Sequence, residues 1–300
     1  MTSVLIGLFS ALAYADATSL MGVAPAWWLL PALILLAVAG VNELNDMFHA
    51  RNLSLPVWTL RLGVITTFLA VAFGTQSVTM DSQHVPSVAA LGWALVALAV
   101  SAGCFFALEV IDFKPTGGSL ERLSASLFIL TYLGVPMAFM VSLRLVYLDT
   151  PTNAQYISHP LGMVPLVSMI AVVKAGDICA YIAGSLFGKN KLAPLLSSGK
   201  TWEGAVASLV GSSAAAWLIL QGLGMKIPHQ PLGGWLVFGL TVGLAGMLGD
   251  LAESLIKRQS GVKDSGNTLA GLGGVLDLMD SLLFATPVAW SLWMAGMNAS

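Results

Sequence analysis

Apolar runs long enough to cross a lipid bilayer make up most of this 300-residue chain. A bilayer core of about 30 Å requires a helix of about 20 predominantly apolar residues. Apolar residues account for 57% of the sequence and the mean hydropathy is +0.84, which is above the range of soluble domains. The sequence therefore predicts an all-α, polytopic transmembrane protein with about nine spans, at residues 3–22, 25–41, 57–78, 88–108, 123–147, 160–187, 203–223, 232–252 and 279–298.

The first of these runs allows a second interpretation. It contains Asp16, and Ala11-Leu12-Ala13 is compatible with a signal-peptidase site. No Lys or Arg precedes Val4, so a membrane span is favoured over a signal peptide.

The basic residues indicate which ends of the predicted spans face the cytoplasm. Lys and Arg are retained on the cytoplasmic side of short loops. They occupy every second loop of the predicted topology: Arg51 and Arg61, then Lys114 and Arg122, then Lys189, Lys191 and Lys200, then Lys257, Arg258 and Lys263. The N-terminus is therefore predicted inside, the C-terminus outside, and the polar clusters at the cytoplasmic face of the cell's inner (plasma) membrane.

The polar motifs divide the chain into two halves of one predicted integral membrane domain, residues 1–300. Residues 1–173 are predicted to anchor the protein and face lipid, whereas residues 174–300 carry the motifs. Cys104 and Cys179 fall in apolar spans without a CxxC partner, so neither a disulfide framework nor a zinc site is supported. The formal net charge of −2 adds nothing about partners, and no nucleic-acid partner is expected.

The first polar motif runs from Lys174 to Gly184 within the sixth predicted span. Spacings of three, four and seven residues place Lys174, Asp177, Tyr181 and Gly184 on one stripe of a helix. Ionisable residues inside a span are costly and usually face a wet cavity or each other. Two interpretations remain open: a functional site, or a self-neutralising Lys–Asp pair that only fixes helix packing.

The second motif, residues 197–204, precedes an apolar span. Its Gly199-Lys200-Thr201 is similar to the end of a phosphate-binding P-loop, but the upstream glycine of that motif is absent, so this is not a Walker motif. Hydroxyl groups, a flexible glycine and a lysine at the start of a helix are nevertheless suited to phosphate. The alternative is a plain N-terminal helix cap.

The third motif, residues 250–280, is the densest group of charges and glycines in the chain. Carboxylates on the two flanking helices, with lysines between them, are the oxygen ligands that Mg²⁺ uses when it also binds substrate phosphates. The glycines at its end supply backbone N–H groups for a pyrophosphate. The alternative is a surface ion pair followed by a helix-ending turn. The residues that share a helical face are Asp250, Glu253, Ser254 and Lys257 in the eighth span and Asp277 and Asp280 in the ninth.

Together the three motifs resemble the signature of a known enzyme family. The segment from Ser254 to Ser281 is similar to the C-terminal signature of the phosphatidate cytidylyltransferases, the CDP-diacylglycerol synthases. Segments 177–184 and 197–204 resemble the two upstream blocks of that family, in the same order and at approximately the same spacing. The resemblance covers residues 174–284, while the front half matches in hydropathy and at Asn42-Glu43.

The resemblance implies transfer of a cytidylyl group from CTP to phosphatidic acid in the lipid bilayer, which gives CDP-diacylglycerol and pyrophosphate for phospholipid biosynthesis. It also implies Mg²⁺, a second, monovalent cation and a homodimer. On this chain the implied metal ligands are Asp250, Asp277 and Asp280, and the implied catalytic residues are Asp250, Asp277, Lys257, Lys263 and Asp264. The implied substrate-binding residues are Lys200, Thr201, Ser197, Arg258, Gly273, Gly274, Asp177 and Tyr181.

The chain departs from the family pattern within the C-terminal signature. Where the family has Pro-Gly-His-Gly-Gly and then Asp-Arg-x-Asp, this chain has Leu272 in place of the histidine and Leu278 in place of the arginine. Lys174, which the family pattern does not include, is expected to compensate from an adjacent helix. Two alternatives therefore stay open: activation of another lipid phosphate, and a non-catalytic paralogue that binds CTP or lipid. A transporter is a weaker third, because it predicts two matching inverted halves that this sequence does not show.

Overall fold

The computed structural model describes residues 11–18, 20, 26–77, 86–113, 117–146, 160–224, 227, 229–262, 265–266 and 273–299. Within these ranges the chain is predominantly helical, and eight helical segments are long and apolar enough to cross a membrane. The helices are α1 (Leu30–His49), α2 (Val57–Ser77), α3 (Pro86–Ile111), α4 (Ser119–Ile129), α5 (Val135–Arg144), α6 (Val164–Phe187), α7 (Trp202–Trp217), α8 (Gly234–Gln259) and α9 (Val275–Ala299).

Two of the spans contain a short π-helical turn. Leu130–Gly134 joins α4 and α5 into one span, Ser119–Arg144, and Leu218–Gly222 extends α7. The first turn lies next to Pro136, which has no backbone N–H to donate to the helical ladder. The predicted all-α, polytopic class is confirmed, and eight of the predicted spans are helices; the first, at 3–22, lies largely outside the described residues, which include a helical segment at 11–17.

The last two helices extend beyond their predicted ends. α8 continues to Gln259, past the predicted end at residue 252, and α9 begins at Val275, before the predicted start at residue 279. An apolar window ends where charges begin, whereas the backbone hydrogen bonds of a helix continue through charged residues. Lys257 and Asp277 therefore lie on helical turns.

A two-stranded antiparallel hairpin lies between α6 and α7, and the sequence pattern does not predict it. β1 (Lys191–Ala193) pairs with β2 (Ser197–Thr201). α7 begins directly after β2, and the Thr201 hydroxyl accepts a hydrogen bond from the Gly204 backbone N–H at 3.1 Å. Thr201 therefore caps α7, as the alternative interpretation of this motif has it, and the hairpin in front of the cap carries Lys200.

Small residues allow α6, α7, α8 and α9 to pack closely. Between α6 and α7, a Cβ at Gly176 would lie 2.9 Å from the Ser208 hydroxyl oxygen. Between α8 and α9, a Cβ at Gly249 would collide with the Asp280 carbonyl oxygen. Close approach of the backbones brings polar side chains of four helices together at one end of the bundle.

The front helices pack against the same bundle. α5 contacts both α2 and α9, and α1 contacts α9 as well. The side chains of Leu133 and of Leu276 on α9 both lie against Gly40 of α1. Shared apolar contacts therefore join the front half to the helix that carries Asp277 and Asp280.

Candidate active site

A cavity of about 580 Å³ lies between α6, α7, α8, α9 and the β-hairpin. Only 9% of the residues in this chain are charged, so the concentration of charge in one cavity indicates a polar ligand. The charged residues that line it are Asp177, Lys200, Asp250, Glu253, Lys257, Asp277 and Asp280.

Ion pairs link the elements around this cavity. Lys200 Nζ on β2 lies 2.8 Å from Asp250 Oδ2 on α8, although the angle is not that of a hydrogen bond. On α6, Lys174 Nζ lies 3.2 Å from Asp177 Oδ2. Pairing reduces the cost of holding these charges inside an apolar bundle.

Asp277, in the first turn of α9, is held by several donors. Its Oδ1 accepts a hydrogen bond from Lys257 Nζ at 2.7 Å. Its Oδ2 accepts hydrogen bonds from the Ser265 hydroxyl at 2.6 Å and from the Gly274 N–H at 2.8 Å. Gly273 has a φ of 87°, which glycine adopts without a steric penalty, and this turn directs the Gly274 N–H toward the carboxylate.

Three further carboxylates, Asp250, Glu253 and Asp280, form a carboxylate cluster on facing turns of α8 and α9. One oxygen of each lies within 4.8 Å of the others. Asp280 accepts hydrogen bonds from the Ser281 backbone N–H at 2.5 Å and hydroxyl at 3.1 Å. Glu253 Oε1 is buried and has no hydrogen-bond partner among the described residues. Oxygen donors at this separation, one of them buried and unpartnered, fit a divalent cation such as Mg²⁺.

Glu43, near the end of α1, holds the start of α9. Its Oε1 accepts a hydrogen bond from the Val275 N–H at 2.8 Å, and its Oε2 accepts one from the Leu276 N–H at 2.9 Å. N–H groups at the start of a helix have no partner within it, and the helix dipole favours an anion there. A Cβ at Gly274 would lie 2.6 Å from Glu43 Oε2, so only glycine fits beside this carboxylate.

With this geometry described, comparison with known proteins shows what the chain is related to. The cytidylyltransferase family model matches residues 2–295. The chain belongs to the cytidylyltransferase family. A match over almost the whole sequence includes the front half, for which the motifs alone provide little information.

The relatives that the chain resembles include phosphatidate cytidylyltransferases from several organisms. The chain is 31% identical to the phosphatidate cytidylyltransferase of Chlamydia pneumoniae over 257 residues, which are 84% of this chain and 77% of that protein. It is 29% identical to the phosphatidate cytidylyltransferase of Synechocystis sp. over 278 residues, which are 88% of this chain and 87% of that protein. It is 41% identical to that of Pseudomonas aeruginosa over 141 residues, 47% of this chain and 51% of that protein.

The structure brings most of the residues implied by the family resemblance to one place. Gly273 and Gly274 lie beside the cavity, where they hold Asp277. Arg258 does not line it: its Nε donates to the Leu196 carbonyl oxygen of the hairpin at 3.1 Å. Lys263, Asp264 and Leu272 lie outside the described residues. The implied residues that line the cavity are Asp177, Tyr181, Ser197, Lys200, Thr201, Asp250, Lys257, Asp277 and Asp280.

The structure also divides the implied ligand set of the family. Asp250 and Asp280 belong to the carboxylate cluster with Glu253, whereas Asp277 is paired with Lys257. Sequence reasoning does not assign Glu253 or Glu43 to the site. The sequence does place Glu253 on one helical face with Asp250 and Lys257, and Glu43 is an ionisable residue beside an apolar run, but neither pattern shows that the side chain reaches the site.

Proposed function

We propose that this chain transfers the cytidylyl group of CTP to phosphatidic acid and releases pyrophosphate, which gives CDP-diacylglycerol at the cytoplasmic face of the inner membrane. The main support is a cavity that combines the carboxylate cluster with paired lysines at one end of a membrane-spanning bundle. The relatives from Chlamydia pneumoniae and Synechocystis are named phosphatidate cytidylyltransferases. The basic loops favour the cytoplasmic face.

The charges around the cavity support binding of a cation together with the nucleotide. Three lysines and five carboxylates lie in or beside the cavity, so this set of side chains has a formal charge of −2 when all its members are ionised. A triphosphate brought beside this charge would be repelled. The set consists of Lys174, Lys200 and Lys257 and of Asp177, Asp250, Glu253, Asp277 and Asp280.

The carboxylates identify the residues that would hold the metal. Asp250, Glu253 and Asp280 would bind Mg²⁺, and the unpartnered Oε1 of Glu253 is available for this. When bound, the ion supplies neutralisation of phosphate charge. Asp277 already accepts three hydrogen bonds, so its role in this proposal is to hold Lys257 at the cavity.

The lysines would exchange carboxylates for substrate phosphates. Lys200 reaches the cavity from the hairpin and Lys257 from α8, so they can contact different parts of a polyphosphate. Displacement at phosphorus depends on in-line positioning and charge neutralisation more than on covalent help from the protein. The cavity therefore requires no nucleophilic side chain.

In the proposed reaction one P–O bond forms and one breaks. A phosphate oxygen of phosphatidic acid attacks the α-phosphorus of CTP. The bond from that phosphorus to the β-phosphate oxygen breaks, and pyrophosphate leaves with the electron pair. A phosphate monoester is largely ionised near pH 7, because its second pKa is about 6. The attacking oxygen therefore needs no general base.

The test is formation of CDP-diacylglycerol from radiolabelled CTP and phosphatidic acid by the purified chain in nanodiscs, with and without Mg²⁺. We expect product only with Mg²⁺. Asp250→Asn should lower the rate by about a hundredfold or more, because it removes one negative charge from the carboxylate cluster and breaks the ion pair with Lys200. Asp112→Asn, an exposed carboxylate just after α3, is the matched control and should keep the wild-type rate.

Absence of CDP-diacylglycerol from folded wild-type protein would contradict the proposal. Product from a different lipid phosphate would assign that lipid as the acceptor. Binding of CTP without product from any lipid phosphate would indicate a non-catalytic binding protein.

A further inference from the structure

Lys174 is an ionisable residue in the middle of an apolar helix. It follows the buried residues Val172 and Val173 of α6 and precedes Asp177 by one turn. Its side chain is 34% exposed, and although it does not line the cavity itself, it is paired with Asp177, which does. A lysine at this depth is costly unless its charge is used or compensated.

The ammonium group of Lys174 connects α6 to α9. It lies 3.2 Å from Asp177 Oδ2 and donates to the Leu278 carbonyl oxygen at 3.2 Å. Leu278 stands between Asp277 and Asp280, which both line the cavity. The charge of Lys174 is therefore placed at the backbone of residue 278, even though its Cα belongs to another helix.

The ammonium group retains the capacity to bind a further acceptor. A lysine has three N–H donors, and the described residues provide two acceptors for them, Asp177 and the Leu278 carbonyl. Asp280 also lies within electrostatic range of Lys174. A phosphate oxygen that enters between α6 and α9 would complete the donor set of the lysine.

The side chain of residue 278 cannot provide this charge itself. Leu278 is 46% exposed, and it stands where the resemblance of the C-terminal segment implies an arginine. We infer that Lys174 is a phosphate-binding residue of this chain, which supplies from α6 the cation that position 278 lacks. The phosphate belongs either to CTP or to the lipid acceptor, and the inference rests on the proposed function.

The experiment separates the charge of Lys174 from its contact with α9. Lys174→Gln keeps a polar N–H donor on α6 but removes the positive charge. Leu278→Arg restores a cation from the other helix, and it is made alone and together with Lys174→Gln. Initial rates are measured in nanodiscs while CTP and phosphatidic acid are varied in turn, and binding of radiolabelled CTP is measured without the lipid acceptor.

We expect Lys174→Gln to lower kcat/KM for one substrate by about tenfold or more, the loss expected for a hydrogen bond to a charged group. The double variant Lys174→Gln, Leu278→Arg should recover most of that loss. A change confined to the KM for phosphatidic acid, with CTP binding unaltered, assigns the lysine to the lipid phosphate; weakened CTP binding assigns it to the nucleotide.

Lys174→Gln with wild-type kcat/KM for both substrates would overturn the inference, because the lysine would then serve only to join the helices. A folded double variant as impaired as the single one would also overturn it. If the single variant does not fold, the double variant decides alone, since its activity requires the arginine. Absence of product from wild-type protein in the same assay would instead refute the proposed function.

Discussion

At the scale of single residues, the lysines at the cavity form ion pairs with its carboxylates. Lys200 pairs with Asp250, Lys257 pairs with Asp277 and Glu253, and Lys174 pairs with Asp177. Each of these pairs is stable only while both partners are present, because an unpaired charge in an apolar bundle is costly. A metal and a polyphosphate that arrive together would replace both partners at once.

Substitution of Glu253 tests whether the carboxylate cluster binds a metal ion. Glu253→Gln keeps the volume of the side chain but removes one of the three negative charges of the cluster. We expect the Mg²⁺ concentration for half-maximal activity to rise by about tenfold or more. Binding of Mn²⁺ measured by electron paramagnetic resonance should weaken in parallel.

The matched control for Glu253 is Glu121→Gln. Glu121 is an exposed carboxylate in the first turn of α4, and its substitution should leave the metal dependence unchanged. Equal metal dependence in the Glu253 variant and the wild type would exclude Glu253 as a ligand.

Contacts within one helix can be predicted from spacing, whereas contacts between helices cannot. The three-residue spacing of Lys174 and Asp177 predicts their proximity, and the structure confirms it. By contrast, Asp277 and Glu253 are both suitable ligands by residue type. Which of them lies with Asp250 and Asp280 depends on how α8 and α9 are rotated against each other, and the spacing does not contain that information.

At the scale of elements, the start of α9 depends on a residue more than two hundred positions earlier in the chain. Glu43 accepts hydrogen bonds from the N–H groups of the two residues that directly precede Asp277. The hairpin between α6 and α7 likewise positions Lys200 at the cavity. Segment 191–201 lacks the β-branched and aromatic alternation from which strands are predicted, so the hairpin cannot be recognised from propensity.

The link from α1 to α9 can be tested with Glu43→Gln. The amide presents an N–H₂ group to one of the two backbone donors, so one hydrogen bond is lost and a buried N–H is left without an acceptor. We expect the free energy of unfolding to fall by about 1–3 kcal/mol. Unfolding in mixed detergent micelles, followed by circular dichroism, measures this change.

Glu121→Gln is the matched control for Glu43. Glu121 is exposed, so its substitution should change the free energy of unfolding by less than about 0.5 kcal/mol. If Glu43→Gln and Glu121→Gln have the same free energy of unfolding, the contact with α9 contributes no more than an exposed carboxylate.

At the scale of the whole molecule, hydropathy predicts the number and approximate position of the spans well. Their arrangement around α9 could not be predicted, because apolar helices of similar composition can exchange neighbours without a change in periodicity. α9 contacts both the front helices and the helices of the cavity. A change in the front half can therefore reach Asp277 through the packing of this helix.

One buried ion pair lies away from the cavity and connects distant parts of the chain. Arg144 Nε donates to Asp16 Oδ2 at 2.6 Å, and both side chains are fully buried. Arg144 also donates to the carbonyl oxygen of Gly162, just before α6. Asp177 lies 13 residues into that helix, about 20 Å along its axis. The pair therefore stabilises the end of the bundle opposite to the cavity.

This separation predicts that stability and substrate binding respond independently at Asp16. Asp16→Asn removes the charge partner of Arg144 and should lower the free energy of unfolding by about 3–5 kcal/mol. The KM for CTP of the remaining folded protein should not change, since the pair is remote from the cavity. Asp46→Asn, at an exposed position near the end of α1, should change stability by less than about 0.5 kcal/mol. A raised KM for CTP in folded Asp16→Asn protein would mean that the two ends of the bundle are coupled. The most direct route is α6, which begins just after the Gly162 carbonyl bound by Arg144 and whose later turns line the cavity.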